Sequence, residues 1–234
     1  MPVKKTYADH GDACRTAHAM ELISDHWVYI VIRELFLGGK RFGEILDSAR
    51  GITPTVLTAR LRELENRGIL VPRDLEPPMR VRIYELTPWG HQLEPIMHAL
   101  GRWAQSSPTL TTDGGLTPDA AVLAMRTMLP DAPVDPPITV QLHLTDRRGR
   151  HELAYDYVLD WGPDGFDIGR GRLDDSATRV DVDATTWADA VFDNGELPAD
   201  AVTGDPEPVS RLFREVRAHP TPSAPGVALT DSRE

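Results

Sequence analysis

The chain has 234 residues, 41% of them hydrophobic and 26% charged, with a single cysteine and a formal net charge of -11. That length suits one mid-sized or two small domains, and the composition is that of a soluble globular protein. One cysteine excludes an intrachain disulfide and a cysteine-rich zinc site, no 18-residue apolar stretch is available for a membrane span, and the start MPVKKTYADHGDACR lacks an apolar core, so a cytoplasmic protein without a membrane partner is expected.

The acidity is unevenly spread. Residues 1–105 hold 14 Lys and Arg against 13 Asp and Glu, and the remainder holds 11 against 23. Residues 40–82 carry nine basic and six acidic side chains, a local surplus suited to an anionic partner.

In chain order, the first feature is Cys14. Asp12 is placed to cap the following helix, which puts Cys14 in its first turn, with Arg15 adjacent and His18 one turn on. The helix dipole there favours a thiolate and hence a redox or electrophile sensor; the competing reading is a small buried apolar residue. A Cys14/His18 metal pair lacks further ligands, so no metal is expected, and no cofactor motif occurs.

SDHWVYIVIRELFLGG reads as a buried helix ending at Gly38 and Gly39, and RFGEILDSA as a short second helix. In RGITPTVLTARLRELENRGIL, Thr53 is an N-cap, Pro54 suits the first helical position and Gly68 is a stop, predicting a helix over about 54–67. Leu57, Leu61 and Leu64 form its core stripe, leaving Thr55, Thr58, Ala59, Arg62 and Asn66 on the opposite face. Short hydroxyls and a forked cation on one face suit a phosphate-lined groove. ILVPR and MRVRIYELT follow as two strands around a Pro-rich tip, DLEPP, with Arg73, Arg80 and Arg82 at its base. Two short helices and a two-stranded wing in this order make a winged helix-turn-helix. Taken alone, Arg60, Arg62 and Arg67 also read as a solvated face paired with Glu63 and Glu65, and Arg82 as a side chain lying along Tyr84. Trp27, Trp89 and Trp103 read as packing residues.

The run RELFLGGKRFGEILDSARGITPTVLTARLRELENRGILVPR, followed by YELTPWGHQL, resembles the HxlR family of bacterial winged-helix transcription regulators. The resemblance covers about residues 12–105 and rests on RF, GIT, LxxRLxxLExxGI and YxLTxxG in that order. It implies a homodimer on inverted-repeat operator DNA, with the first and last helices of the domain at the dimer contact. Leu93, Ile96, Met97, Leu100 and Trp103 or Ala104 form an apolar stripe on that last helix, which Pro95 is expected to kink. The DNA-contact set is then Arg41, Thr53, Pro54, Thr55, Thr58, Ala59, Arg60, Arg62, Arg73, Arg80 and Arg82. Many members of the family have a cysteine just before the first helix, and in some of them it senses oxidants or electrophiles.

QSSPTLTTDGGLTP loses all periodicity and reads as a linker. Beyond it, PDAAVLAMRTML is a predicted helix, PITVQLHLTD, HELAYDYVLDWG, GFDIGRGRLDD and TRVDVDA are predicted strands, and TTWADAVFDNG and DPEPVSRLFREVR are predicted helices. The fold class is α+β: a winged-helix domain over 1–104, a linker over 105–116, a second α+β domain over 117–217 with its sheet covered by helices, and a disordered tail over 218–234. The second domain resembles sterol-carrier-protein-type lipid-binding domains, which implies an apolar tunnel and a hydrophobic effector, with Val140, Leu142, Leu144, Tyr155, Tyr157 and Leu159 as candidate lining; a solid core is the alternative. No nucleophile elbow, Walker sequence or HExxH occurs, and His143 and His151 lack an evident partner, so an enzyme is not expected. Two functions remain: a DNA-binding regulator, expected to be a repressor, and a lipid carrier whose winged helix dimerises or docks a protein.

Overall fold

The computed structural model describes residues 6–76, 79–110 and 114–218. Part of the DLEPP tip, and the expected disordered tail from residue 219 on, lie outside the described residues. The chain divides into two compact units, Met1–Leu93 and Glu94–Glu234, a division ahead of the linker expected at 105–116. No described helix is long and apolar enough to cross a membrane.

In the first unit a 3-10 turn (Ala8–His10) leads to α1 (Arg15–Ile23), α2 (His26–Arg33), β1 (Lys40–Arg41), α3 (Phe42–Ser48), α4 (Pro54–Asn66), β2 (Leu70–Asp74), β3 (Arg82–Leu86) and α5 (Pro88–His91). The strands form an antiparallel sheet in the order β1-β3-β2, with Pro72 on the edge strand β2, where a missing N–H is tolerated. Val28, Val31 and Ile32 of α2, Ile45 of α3 and Leu57, Leu61 and Leu64 of α4 are buried together with Ile69 and Leu70. β1 was not anticipated, and α2 is shorter than the sequence suggested. Its end tightens into i−3 hydrogen bonds, Leu35 N–H to Ile32 and Phe36 N–H to Arg33, and Glu34 there is buried beside Lys40. Cys14 is the N-cap of α1 rather than a first-turn residue; Asp12 Oδ1 accepts its N–H at 2.8 Å, but the helix starts two residues later than a cap at Asp12 would place it.

The second unit runs through α6 (Glu94–Ala104), α7 (Pro118–Met128), β4 (Ile138–Asp146), β5 (Leu153–Gly162), β6 (Gly165–Arg170), β7 (Thr178–Asp183), α8 (Ala184–Phe192), β8 (Val202–Gly204) and α9 (Glu207–Ala218). Its sheet has the order β6-β5-β4-β7-β8, parallel only between β4 and β7. The four predicted strands and three predicted helices are present, and β8 is an additional edge strand. Pro95 does not kink a helix. The chain turns at Gln92–Leu93 between α5 and α6, so Pro95 falls in the first turn of α6, where an N–H has no helical acceptor. α6 joins α7 through Glu94–Arg126 at 2.8 Å and the Arg102 bond to the Thr127 carbonyl at 3.3 Å.

Register places Val140 beside Leu159, Leu142 beside Tyr157 and Leu144 beside Tyr155 on the face that α7, α8 and α9 cover. The expected apolar pocket is not open along these residues. Val140, Leu142, Leu144, Tyr157 and Leu159 are each 0% exposed, so no water-sized space touches them, and the alternation has produced a packed core. Tyr155 lies against Arg170, whose guanidinium is 3.7 Å from its ring centroid. A polar group closes the same layer: Asp119 accepts from Tyr157 Oη at 2.6 Å and from Arg170 Nη2 at 2.6 Å. His143, expected to lack a partner, faces Asp156 across the register at 3.0 Å.

Candidate nucleic-acid interface

The start of α4 is built as its sequence dictates. Thr53 Oγ1 accepts the N–H of Val56 at 3.3 Å and Pro54 occupies the first turn, so the hydroxyl caps the helix and its own backbone leads out extended. Thr53, Pro54, Thr55, Ala59, Arg62 and Asn66 are exposed and Thr58 is half-buried. Thr58 Oγ1 donates to the Pro54 carbonyl at 2.8 Å, which leaves its lone pairs for an incoming donor, while the Thr55 hydroxyl makes no intramolecular bond with the described residues.

The cations expected at DNA separate into two groups. Arg41, Arg62 and Arg80 are exposed and form no ion pair with a described residue. Arg60, Arg73 and Arg82 are paired. Arg73 meets Glu85 at 2.8 Å and Arg82 meets Asp74 at 2.8 Å, both across the β2–β3 pair. The Arg82 hydrogen bonds hold the Asp74 carboxyl below the usual carboxylate range. The arginine side chains of both wing pairs are well exposed, 59% and 60%, so the pairs are weak and a phosphate can compete for either guanidinium. Arg60 is different: it is half-buried and held by Asp25 at 3.0 Å and Glu63 at 2.6 Å. Arg80 adopts φ +38°, a conformation uncommon for a side-chain-bearing residue, beside the wing tip.

Two features escaped sequence reasoning. The first is a buried ion pair: Lys40 Nζ lies 2.5 Å from Glu34 Oε2, both side chains being 0% exposed, and Arg33 Nη2 reaches the other oxygen at 2.9 Å. A lysine after two glycines carries no local mark of burial. The second is the pairing of Arg60 and Arg67 to groups outside their own helix; only the contrast between two arginines two positions apart, 200° around the helix, hinted that they could not serve one surface.

Cys14 is exposed in the single chain. It lines an open cleft of about 270 Å³ with Tyr7, Asp12, Arg15, His18 and Glu21. His18 Nδ1 is 3.4 Å from Glu21, and Glu21 also accepts the N–H of Tyr7. Among the described residues no group of three or more His, Cys, Asp or Glu is arranged to hold a metal ion.

Comparison with known proteins places this geometry. Residues 22–110 match the model of the HxlR-like helix-turn-helix family. Over 95 residues the chain is 40% identical to an uncharacterized HTH-type transcriptional regulator of Synechocystis sp., covering 39% of this chain and 70% of that protein. Over 91 residues it is 38% identical to the uncharacterized HTH-type transcriptional regulator YvaP of Bacillus subtilis, covering 38% of this chain and 83% of that protein. Among solved structures, the reduced form of the transcriptional regulator YodB from B. subtilis is 29% identical, with a TM-score of 0.39 over 42% of this chain and 97% of that one. On the family match over residues 22–110 and the identity to these two sequence relatives, the chain belongs to the HxlR-like helix-turn-helix family of DNA-binding transcriptional regulators.

Proposed function

We propose that the chain is a sequence-specific repressor that binds inverted-repeat operators as a homodimer, with α4 in the major groove and the β2–β3 wing against the flanking backbone. The observation that carries this reading is the outer face of α4, where Thr55, Thr58 and Ala59 lie in the first two turns and Arg62 one turn further on, and Arg62 pairs with no described carboxylate. A helix N-terminus favours anionic groups, and an unpaired guanidinium can take a base edge or a phosphate without first breaking an ion pair. For the second copy, Ile96, Leu100 and Trp103 supply an apolar stripe on α6, 48%, 43% and 76% exposed. Residues at i, i+4 and i+7 share one helix face, and large apolar groups left in water there favour burial against an identical stripe. A symmetric pair would then read half-sites about 34 Å apart.

The carrier alternative has less support. A lipid carrier needs an apolar cavity, and five of the six residues assigned to one are closed at 0% exposure, Tyr155 being half-buried against Arg170. An apolar effector is therefore not part of this proposal, and Cys14 enters it only as an exposed thiol beside Arg15 and His18.

The test is binding of the purified protein to genomic fragments, followed by titration on a retained duplex at several salt concentrations. Affinity should fall steeply with salt, by a log–log slope of about 0.9 for each phosphate neutralised. The Arg62→Ala change should weaken binding by about 1–3 kcal/mol per half-site and alter base preference at one position. A folded Thr58→Ala/Arg62→Ala protein with unchanged affinity and slope would remove α4 from the interface.

A further inference from the structure

Four side chains tie the back of α4 to the corner between α1 and α2. Asp25 Oδ1 caps α2, accepting the N–H groups of Trp27 at 2.9 Å and Val28 at 3.3 Å, while its Oδ2 meets Arg60 Nη2 at 3.0 Å. Arg60 Nη1 donates to Glu63 Oε2 at 2.6 Å, and Glu63 Oε1 takes Arg67 Nη2 at 2.6 Å. Arg67 Nη1 then donates to the Leu22 carbonyl at 2.7 Å, near the end of α1. The contacts leave the corner at Asp25, pass along two turns of α4 and return to the corner at Leu22.

Geometry separates this set from the DNA face. Arg60 and Arg67 are seven residues apart and share one side of the helix, whereas Arg62 lies about 200° from Arg60. The side chains of Arg60, Glu63 and Arg67 are 29%, 32% and 26% exposed, so their pairs are less screened than those of the wing. Arg60 Nε is buried without a hydrogen bond, a cost that an arginine free to seek DNA would not bear. The leucine stripe of α4 sets how deep the helix sits, but apolar packing is non-directional, and hydrogen-bonded ion pairs add the direction that it lacks.

We propose that Arg60, Glu63 and Arg67, with Asp25, are positioning residues that fix the rotation of α4 on the α1–α2 corner, and that Arg60 does not touch DNA. This rests on the reading that α4 enters the groove. The four carry no net charge between them, so their contribution to binding is orientation rather than attraction. It also links the end of α1 to the reading helix, so a displacement of α1 moves the DNA face.

The experiment uses the full chain on a duplex retained from the genomic selection and on a scrambled duplex of the same composition, each titrated with salt. Asp25→Asn keeps the capping oxygen and removes the carboxylate that Arg60 holds. Arg60→Gln removes the cation from the other side. Each should lower specific affinity about tenfold, equal to about 1.4 kcal/mol, with the salt slope and the scrambled-duplex affinity unchanged. The double variant should be no worse than either single one, and Arg60→Lys, which keeps a cation within reach of Asp25, should restore most of the affinity. The sign of the Asp25→Asn effect is decisive: loss of a negative charge near DNA strengthens binding if only charge matters and weakens it if orientation does. Unchanged or tighter binding by Asp25→Asn, or a slope reduced by about 0.9 per protomer in Arg60→Gln, overturns the proposal. Arg62→Gln separates the two failures. If it weakens binding while Arg60→Gln does not, the positioning role falls alone; if it changes neither affinity nor slope, the placement of α4 in the groove falls and takes the positioning role with it.

Discussion

Replacing Lys40 by Met tests what holds the helix-turn-helix to its sheet. Lys40 opens β1 and pairs in register with Tyr84, while its ammonium reaches back 2.5 Å to Glu34 just beyond α2. Both side chains are 0% exposed, so a carboxylate deprived of this partner stays out of water. Removing one member of a buried pair costs about 3–5 kcal/mol. Arg33 still holds Glu34 Oε1 through Nε at 3.2 Å and Nη2 at 2.9 Å, which places the expected loss near the lower end, about 3 kcal/mol. For a unit of this size each kcal/mol moves the midpoint by about 4–8 °C, so the first unit should melt roughly 12–24 °C lower. Calorimetry, with hydrogen exchange followed on peptides from β1 and β3, would assign the shifted transition to that unit. The double change Glu34→Leu/Lys40→Met should recover part of the loss, because a hydrophobic pair of similar volume needs no mutual neutralisation, while Arg33 loses its carboxylate partner. A Lys40→Met shift below about 3 °C, or a double variant no better than the single one, would refute the reasoning and make the lysine a packing residue.

Two further outcomes follow from particular contacts. A Cβ on Gly90 would lie 2.2 Å from the Ile69 carbonyl oxygen, a backbone atom that cannot step aside, so Gly90→Ala should lift α5 from β2 and cost about 1–3 kcal/mol in urea unfolding; a neutral result would show that α5 shifts freely. His98 is held below its ordinary pKa by desolvation, with Arg102 and Arg126 acting in the same direction and Glu94 opposing them. The unfolded chain then binds more protons below about pH 6.5, so stability is full above that value and is lost as pH falls toward the depressed folded pKa. His98→Gln should flatten the decline in the second unit's midpoint between about pH 7 and pH 5, and parallel curves for the two proteins would contradict the assignment.

Much of the site was legible because its determinants are local. Thr53, Pro54, the leucine spacing and Gly68 specify where α4 starts, which face it buries and where it stops, and the structure follows each. The end of α2 was not legible, and neither was the contact of Glu34 with Lys40 across a turn. Pro95 looked like a kink only while α5 and α6 were taken as one helix. In the second unit, period-2 alternation located β4 and β5, but alternation is the same whether the inward residues line a tunnel or fill a core. Only the closure of α7, α8 and α9 over Leu142, Tyr157 and Leu159 decided for the core.

The amino-acid sequence by itself determined the family, the α+β class and the outer face of α4, because capping, periodicity and turn chemistry act within a few residues along the chain. The tertiary structure alone decided which cations are committed. Arg60 and Arg62 are the same residue type on one helix, yet Arg60 is bound to Asp25 from another helix and Arg62 to no described carboxylate. The strength of a charge interaction depends on through-space distance and on how much water lies between the partners, and neither quantity is written in the order of the residues.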